Sequence, residues 1–510
     1  MKNISSFTIV SLCILPVSLA FADIRLPAVI GSNMILQRDA EVPLWGWADP
    51  GEGISVTTDW KATAMVKAGA DGKWSLKIKT PQAGGPYKLT FKGKNTITLE
   101  NVLSGEVWVC SGQSNMQFAM KGSENAPANI AKADYPNIRL FTVARVIAVE
   151  PKDNCKGNWT ICSPVSVAGF SAVGYYFGKH LADELDVPIG LISSNWGGTR
   201  AEAWTRREVL ENDKDLMPIV ERFEADKVNL PEAIKKYEKG LAAWKLKSEK
   251  AKAKGKKAPR APRKPSARNQ NSPASLYNGM IAPIIPFAIK GAIWYQGESN
   301  VSRSYQYRKL FPAMITNWRT DWNQGDFPFY YVQIAPYKYR EGRPSEELRE
   351  AQMLTLSLKN TGMAVTMDIA TVNNIHPPNK LDVGKRLALW ALVKDYAKKD
   401  LVFSGPIYKS MKVEGEKIRL SFDYAATGLQ TRDGKEITHM TIAGADKKFV
   451  EAEAVIEGDT VLVSSEIVKK PVSVRYGWSN TAVPNLENKA GLPASSFRTD
   501  YWPGLTFDAR

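Results

Sequence analysis

The chain has 510 residues, with 68 Lys and Arg against 52 Asp and Glu, a formal net charge of +16. Its 44% hydrophobic and 24% charged composition and its 15 Trp exclude a disordered or collagen-like chain and a small disulfide scaffold. The length suits two to four domains.

Residues 1–22 read as a cleaved secretory signal. Lys2 precedes an apolar run from Phe7 to Phe21, and Ala20-Phe21-Ala22 has the small-x-small pattern of a cleavage site. The expected mature chain is periplasmic or secreted, and no later stretch has the 18 apolar residues of a membrane span. Cys13 would leave with the signal, and Cys155 and Cys162 are near enough in sequence to close a short loop.

From 23 to 104 the pattern has period two. Val42–Trp47, Ile54–Thr57, Trp74–Ile78, Tyr87–Phe91 and Thr96–Leu99 alternate between Gly, Pro and Asp turns, which predicts an N-terminal β domain. Residues 105–400 alternate strands with helices. The strands are Glu106–Cys110, Val187–Ile192, Ala288–Tyr295, Phe329–Ile334 and Ala364–Ile369, and the helices are Phe170–Leu185, Tyr305–Trp318, Glu346–Leu358 and Lys380–Ala397. That order predicts an α/β domain with a mainly parallel sheet covered on both faces. Period two returns over 401–510, predicting a C-terminal β domain. Between Leu241 and Arg268 lie eleven Lys and Arg against Glu249. This basic, Pro-rich insertion, about 241–272, reads as a solvated helix end and loop remote from the chemistry. It has no interleaved aromatics of a nucleic-acid binder.

Ligands of open α/β sheets bind beyond the carboxyl ends of the strands. Four such ends carry Ser111-Gly-Gln-Ser-Asn-Met116, Ser193-Ser-Asn-Trp-Gly-Gly-Thr199, Gln296-Gly-Glu-Ser-Asn300 and Asn373-Asn-Ile-His376. A hydroxyl, an imidazole and backbone donors are the needs of acyl transfer. Of the three His, His180 borders an apolar helical stripe and His439 sits in a β run, which leaves His376 as the base and Ser114 as the nucleophile. No metal-ligand spacing appears, and neither a metal nor a cofactor is expected. The Trp near these motifs (Trp108, Trp196, Trp204, Trp294) favour sugar stacking over acyl-chain binding.

Trp108–Met116, Ser194–Trp204, Tyr277–Pro283, Trp294–Asn300 and Ile375–Lys380 together resemble the sialate O-acetylesterase family, within the SGNH/GDSL hydrolases. The resemblance implies a three-layer α/β/α hydrolase domain flanked by β-sandwich-like domains, removing O-acetyl groups from sugars. Acetylated sialic acid and acetylated xylan are the substrates in view. A short-chain esterase or lipase, or an inactive carbohydrate-binding homologue, stands as the alternative. Carried over by motif, Ser114 and His376 are catalytic, and the oxyanion donors are the Ser114 N–H, a Gly197 or Gly198 N–H and the Gln296 side chain. Asn115, Trp196, Arg200 and Asn300 are expected to touch substrate. The family's usual Asp before the His is replaced here by Asn373 and Asn374. The imidazole is then oriented by an Asn or a backbone carbonyl, or by a carboxylate from Asp368, Glu298 or Asp382, or the chain is a weakly active homologue.

Overall fold

The computed structural model describes residues 23–509, so the expected signal and Cys13 lie outside the described residues. The central sheet runs Thr361–Ala364, Phe329–Val332, Gly291–Tyr295, Thr96–Gly112, Ile189–Asn195, Tyr135–Thr142, Trp159–Cys162. Six strands are parallel, and Trp159–Cys162 closes one edge antiparallel. Chain order reverses at Thr96–Gly112: the next strands go to one side and the last three to the other. That reversal opens a crevice at its carboxyl end, where Ser114 follows.

Alternation along the strands builds two cores. Trp108, Cys110, Ile293 and Tyr295 face one side, under helices Ala172–Leu185 and Leu381–Lys394. Val107, Val109 and Trp294 face the other, under helix Ser304–Trp322 with its Phe311, Met314 and Trp318. Val173, Phe177 and Leu181 are buried along one face of helix Ala172–Leu185, and Ser171 caps that helix by accepting from the Gly174 N–H at 3.1 Å. This is the three-layer arrangement.

The strand Thr96–Gly112 also joins the domains. Its first half pairs antiparallel with Gly84–Lys92 of the N-terminal β unit, and its second half lies inside the parallel sheet. Ile54, Val56 and Phe91 share one continuous core with Val107 and Trp294, so the N-terminal unit is fused to the hydrolase layer. The C-terminal unit has its own core around Ile418, Leu420, Val461 and Phe497. It is keyed to the hydrolase by polar contacts: buried Arg349 donates to Ser496 Oγ at 3.1 Å and to the Ser479 carbonyl at 2.7 Å, and Arg498 forks onto Glu350 at 2.8 and 3.2 Å.

Two expectations shift. The strand predicted over Ala364–Ile369 lies instead at Thr361–Ala364. Beyond it Thr366 Oγ1 donates to the Gln333 carbonyl, and the Arg386 guanidinium takes the Val365 carbonyl, so side chains replace ladder partners. Cys110, Cys155 and Cys162 are all free thiols, so no Cys155–Cys162 loop is closed. Among the described residues no helix is long and apolar enough to cross a membrane.

Candidate active site

Gly112 ends the central strand at φ +136°, and a Cβ there would lie 2.2 Å from the Tyr295 carbonyl oxygen. The close approach turns the chain out of the sheet into the short helix Ser114–Gln117. From the opposite side, the segment after Thr361–Ala364 brings in His376. The Ser114 Oγ and His376 Nε2 are 2.9 Å apart, hydrogen-bond distance for a nucleophile and its base. Both line one cavity of about 800 Å³. His439 is exposed in the C-terminal unit, and His180 lines a different cavity with Tyr175 and Lys385.

None of the three carboxylates considered as partners hydrogen-bonds to His376 among the described residues, although Glu298 lines the same cavity and keeps Oε2 buried with no hydrogen-bond partner. Asp368 forms a two-bond ion pair with Arg386 at 2.7 and 2.6 Å. Asp382 accepts from the Asn379 amide at 2.7 Å. Glu298 Oε1 accepts from Asn115 Nδ2 at 2.6 Å. Among the described residues no carboxylate forms an ion pair with His376. Asn374 turns its amide oxygen to the His376 backbone N–H at 3.0 Å, which fixes the loop, and Asn373 is exposed. Burial, and then the charge of Lys380, hold the His376 imidazole below its ordinary pKa.

Several residues expected to touch substrate or oxyanion are interior scaffolding instead. Asn115 is 1% exposed: its amide hydrogens go to Glu298 and to the Ile375 carbonyl at 3.0 Å, and its oxygen accepts from Lys380 Nζ at 2.6 Å. Asn115 thus ties the residue after the nucleophile to the residue before the base. Lys380 is buried over the rings of Phe118 and Tyr295, and burial pushes its pKa down to about 7. Burial pushes the Glu298 carboxyl up. Gln296 is fully buried, with both amide hydrogens spent on the Thr199 carbonyl and Asn300 Oδ1, so it is not placed to donate to an oxyanion. Asn300 is likewise spent on Glu202, Gln296 and the Ala201 N–H.

The Gly197 N–H donates to Gln117 Oε1 at 2.7 Å, while Gly198, at φ +72°, lines the cavity beside Ser114. Trp108, Trp204 and Trp294 are fully buried core residues, not sugar platforms. Trp196 packs against the core under Arg145, and Arg200 lines a neighbouring cavity. Among the described residues no group of three or more His, Cys, Asp and Glu is arranged to hold a metal ion.

The rim of the cleft was not anticipated from the sequence. Tyr337, Lys338, Tyr339, Arg340 and Arg343 line the cavity from the segment after Phe329–Val332, a fifth strand end whose aromatic and basic residues were the available signal. Arg260 joins them, although its insertion was expected to be remote. The insertion comprises the second half of the helix Leu230–Ala253 and the loop after it, and Trp244 Nε1 donates to the Pro259 carbonyl at 2.7 Å, folding the Pro-rich segment back toward the cleft. Four cations therefore surround the mouth.

Residues 266–392 match the family model described as carbohydrate esterase, sialic acid-specific acetylesterase. A crystal structure of XAC1771, a carbohydrate acetylesterase from Xanthomonas citri, is similar at 36% identity and TM-score 0.80, over 94% of this chain and 100% of that one. Sialate O-acetylesterase of Homo sapiens is 28% identical over 94% of each chain, and that of Rattus norvegicus 29% over 89% of each. With the fold shared over nearly its whole length, the chain belongs to the sialate O-acetylesterase family of carbohydrate esterases and is an ester hydrolase.

Proposed function

We propose that the protein is an exported carbohydrate O-acetylesterase that works through a Ser114–His376 dyad and prefers acetylated sugars bearing a carboxylate. The observation that carries the dyad is the 2.9 Å contact between Ser114 Oγ and His376 Nε2. Ser114 Oγ attacks the acetyl carbonyl carbon while His376 Nε2 takes its proton. The tetrahedral oxyanion accepts from the Ser114 N–H, which opens a helix and has no intrahelical acceptor, and from the Gly198 N–H. The C–O bond to the sugar then breaks, and imidazolium returns the proton to the leaving sugar oxygen. Water attacks the acetyl-enzyme, His376 takes a proton from it, and acetate leaves as Ser114 is restored.

The acidic preference rests on Arg260, Lys338, Arg340 and Arg343 around the cleft, none of which has an ion-pair partner among the described residues. Cations in a cleft concentrate an anionic substrate and orient it, and Tyr337 and Tyr339, packed edge to face with ring centroids 4.9 Å apart, add aromatic surface to the cleft wall. The experiment is acetate release from O-acetylated sialic acid, acetylated xylan and p-nitrophenyl acetate. Higher kcat/KM on the sialic acid supports the reading, and higher kcat/KM on xylan overturns the acidic preference. Export is tested by N-terminal sequencing of protein from the native host, with a mature start at Asp23 expected.

A further inference from the structure

A second cavity, of about 360 Å³, lies behind the wall of the catalytic cleft. The two share a partition: Gly198 lines the cleft, and its carbonyl accepts from Asn271 Nδ2 at 3.1 Å, while Asn271 and Arg200 line the second cavity. Three guanidinium groups, of Arg200, Arg222 and Arg303, converge there. Two carboxylates stand against them: Glu202, buried, which gives Oε2 to Asn300 at 2.8 Å and meets Arg303 at only 3.4 Å, and the exposed Asp226 on the cavity wall; Arg222 also donates from Nη2 to Gln306 at 3.3 Å. Arg222 Nη1 and Arg303 Nε are buried with no hydrogen-bond partner, and the Arg200 side chain has no partner among the described residues. Burial, then Arg303's charge, lowers the pKa of Arg222. Gathering cations with unpaired buried N–H groups is costly, and a planar carboxylate accepting two parallel bonds from a guanidinium relieves that cost.

We propose that this cavity is a subsite for the carboxylate of a sugar unit flanking the acetylated one, so that an acidic oligosaccharide is held on both sides of the Gly198 partition. The inference rests on the acidic-glycan reading above. It is tested by calorimetric titration of methyl glucuronide, and separately of inorganic phosphate, into the full-length enzyme and its Arg222→Met, Arg222→Lys and Arg343→Ala variants. Glucuronide binding is expected to weaken at least tenfold in Arg222→Met and by a smaller factor in Arg222→Lys, which keeps the charge and loses the fork. Arg343→Ala, in the catalytic cleft, is expected to weaken it less than Arg222→Met. Arg222→Lys also serves should Arg222→Met fail to fold. Unchanged binding in the Arg222 variants, a loss confined to Arg343→Ala, or phosphate binding with no glucuronide binding overturns the subsite. Acetate release from monomeric acetylated sialic acid is scored separately, so its failure counts against the functional reading instead.

Discussion

Replacing Asp368 with Asn separates a catalytic carboxylate from a structural one by which observable moves. The Asp368–Arg386 pair is largely buried, each side chain 10% exposed, and joined by two short bonds. Removing one partner of a buried pair costs about 3–5 kcal/mol. The amide introduced by Asp368→Asn still accepts one hydrogen bond and Arg386 keeps the Val365 carbonyl, which places the cost near the lower end, about 3 kcal/mol. An Asp that oriented His376 would instead cost about 10⁴ in kcat when made Asn, roughly 5 kcal/mol of transition-state stabilisation. The assay pairs a urea unfolding midpoint with kcat on p-nitrophenyl acetate under conditions where the variant is folded. The midpoint is expected to fall clearly while kcat changes less than about tenfold, 1.4 kcal/mol. A kcat loss of 10³ or more with a small midpoint shift refutes the dyad and makes Asp368 its third member.

Three further outcomes follow from the same geometry. His376 must be neutral to accept the Ser114 proton, and its pKa is lowered by burial and by Lys380, so the acid limb of kcat/KM should lie below the ordinary ~6.5 of histidine; a limb above 6.5 contradicts this. Lys380→Met removes the second of those causes, so the limb should move up, and leaving the buried Asn115 oxygen unpaired should cost about 1–3 kcal/mol of stability in a denaturant titration. A limb that stays put or moves down contradicts the assigned cause. Replacing residues 241–264 with a short linker, which removes Arg260 from the rim, should lower kcat/KM on acetylated sialic acid severalfold more than on p-nitrophenyl acetate. Equal effects on the two substrates would return the insertion to a remote role.

The α/β layering was legible because strand and helix periods differ, and because the alternation of Trp108 and Cys110 with Val107 and Val109 writes both faces of the sheet into one segment. Ser114 and His376 stand out in the sequence since a parallel sheet gathers its strand ends and since His is scarce in this chain, and the structure brings the two side chains together. The same logic pointed to Asn115, Gln296 and Asn300 as substrate or oxyanion contacts, and the structure buries all three in hydrogen bonds to neighbouring protein groups. A strand end carries polar residues for two purposes, meeting substrate and satisfying the backbone where the ladder stops, and one chain without contacts does not separate them. The Trp residues misled similarly: a large ring near a motif serves the core as readily as a sugar, and Trp108, Trp204 and Trp294 serve the core. Arg260 was hidden because its neighbourhood is set by how the Pro-rich loop folds back through Trp244, a contact across the insertion that local composition does not encode.

The whole mechanism stands on Ser114 as the nucleophile and His376 as its base. Treating the enzyme with a phosphonylating serine reagent, followed by peptide mass mapping, tests that pairing directly. The expected result is one adduct on the peptide holding Ser114, loss of acetate release in proportion to labelling, and labelling at least 10² slower in His376→Ala. An adduct on another residue with Ser114 unmodified, or full acetate release from the fully labelled enzyme, would contradict it.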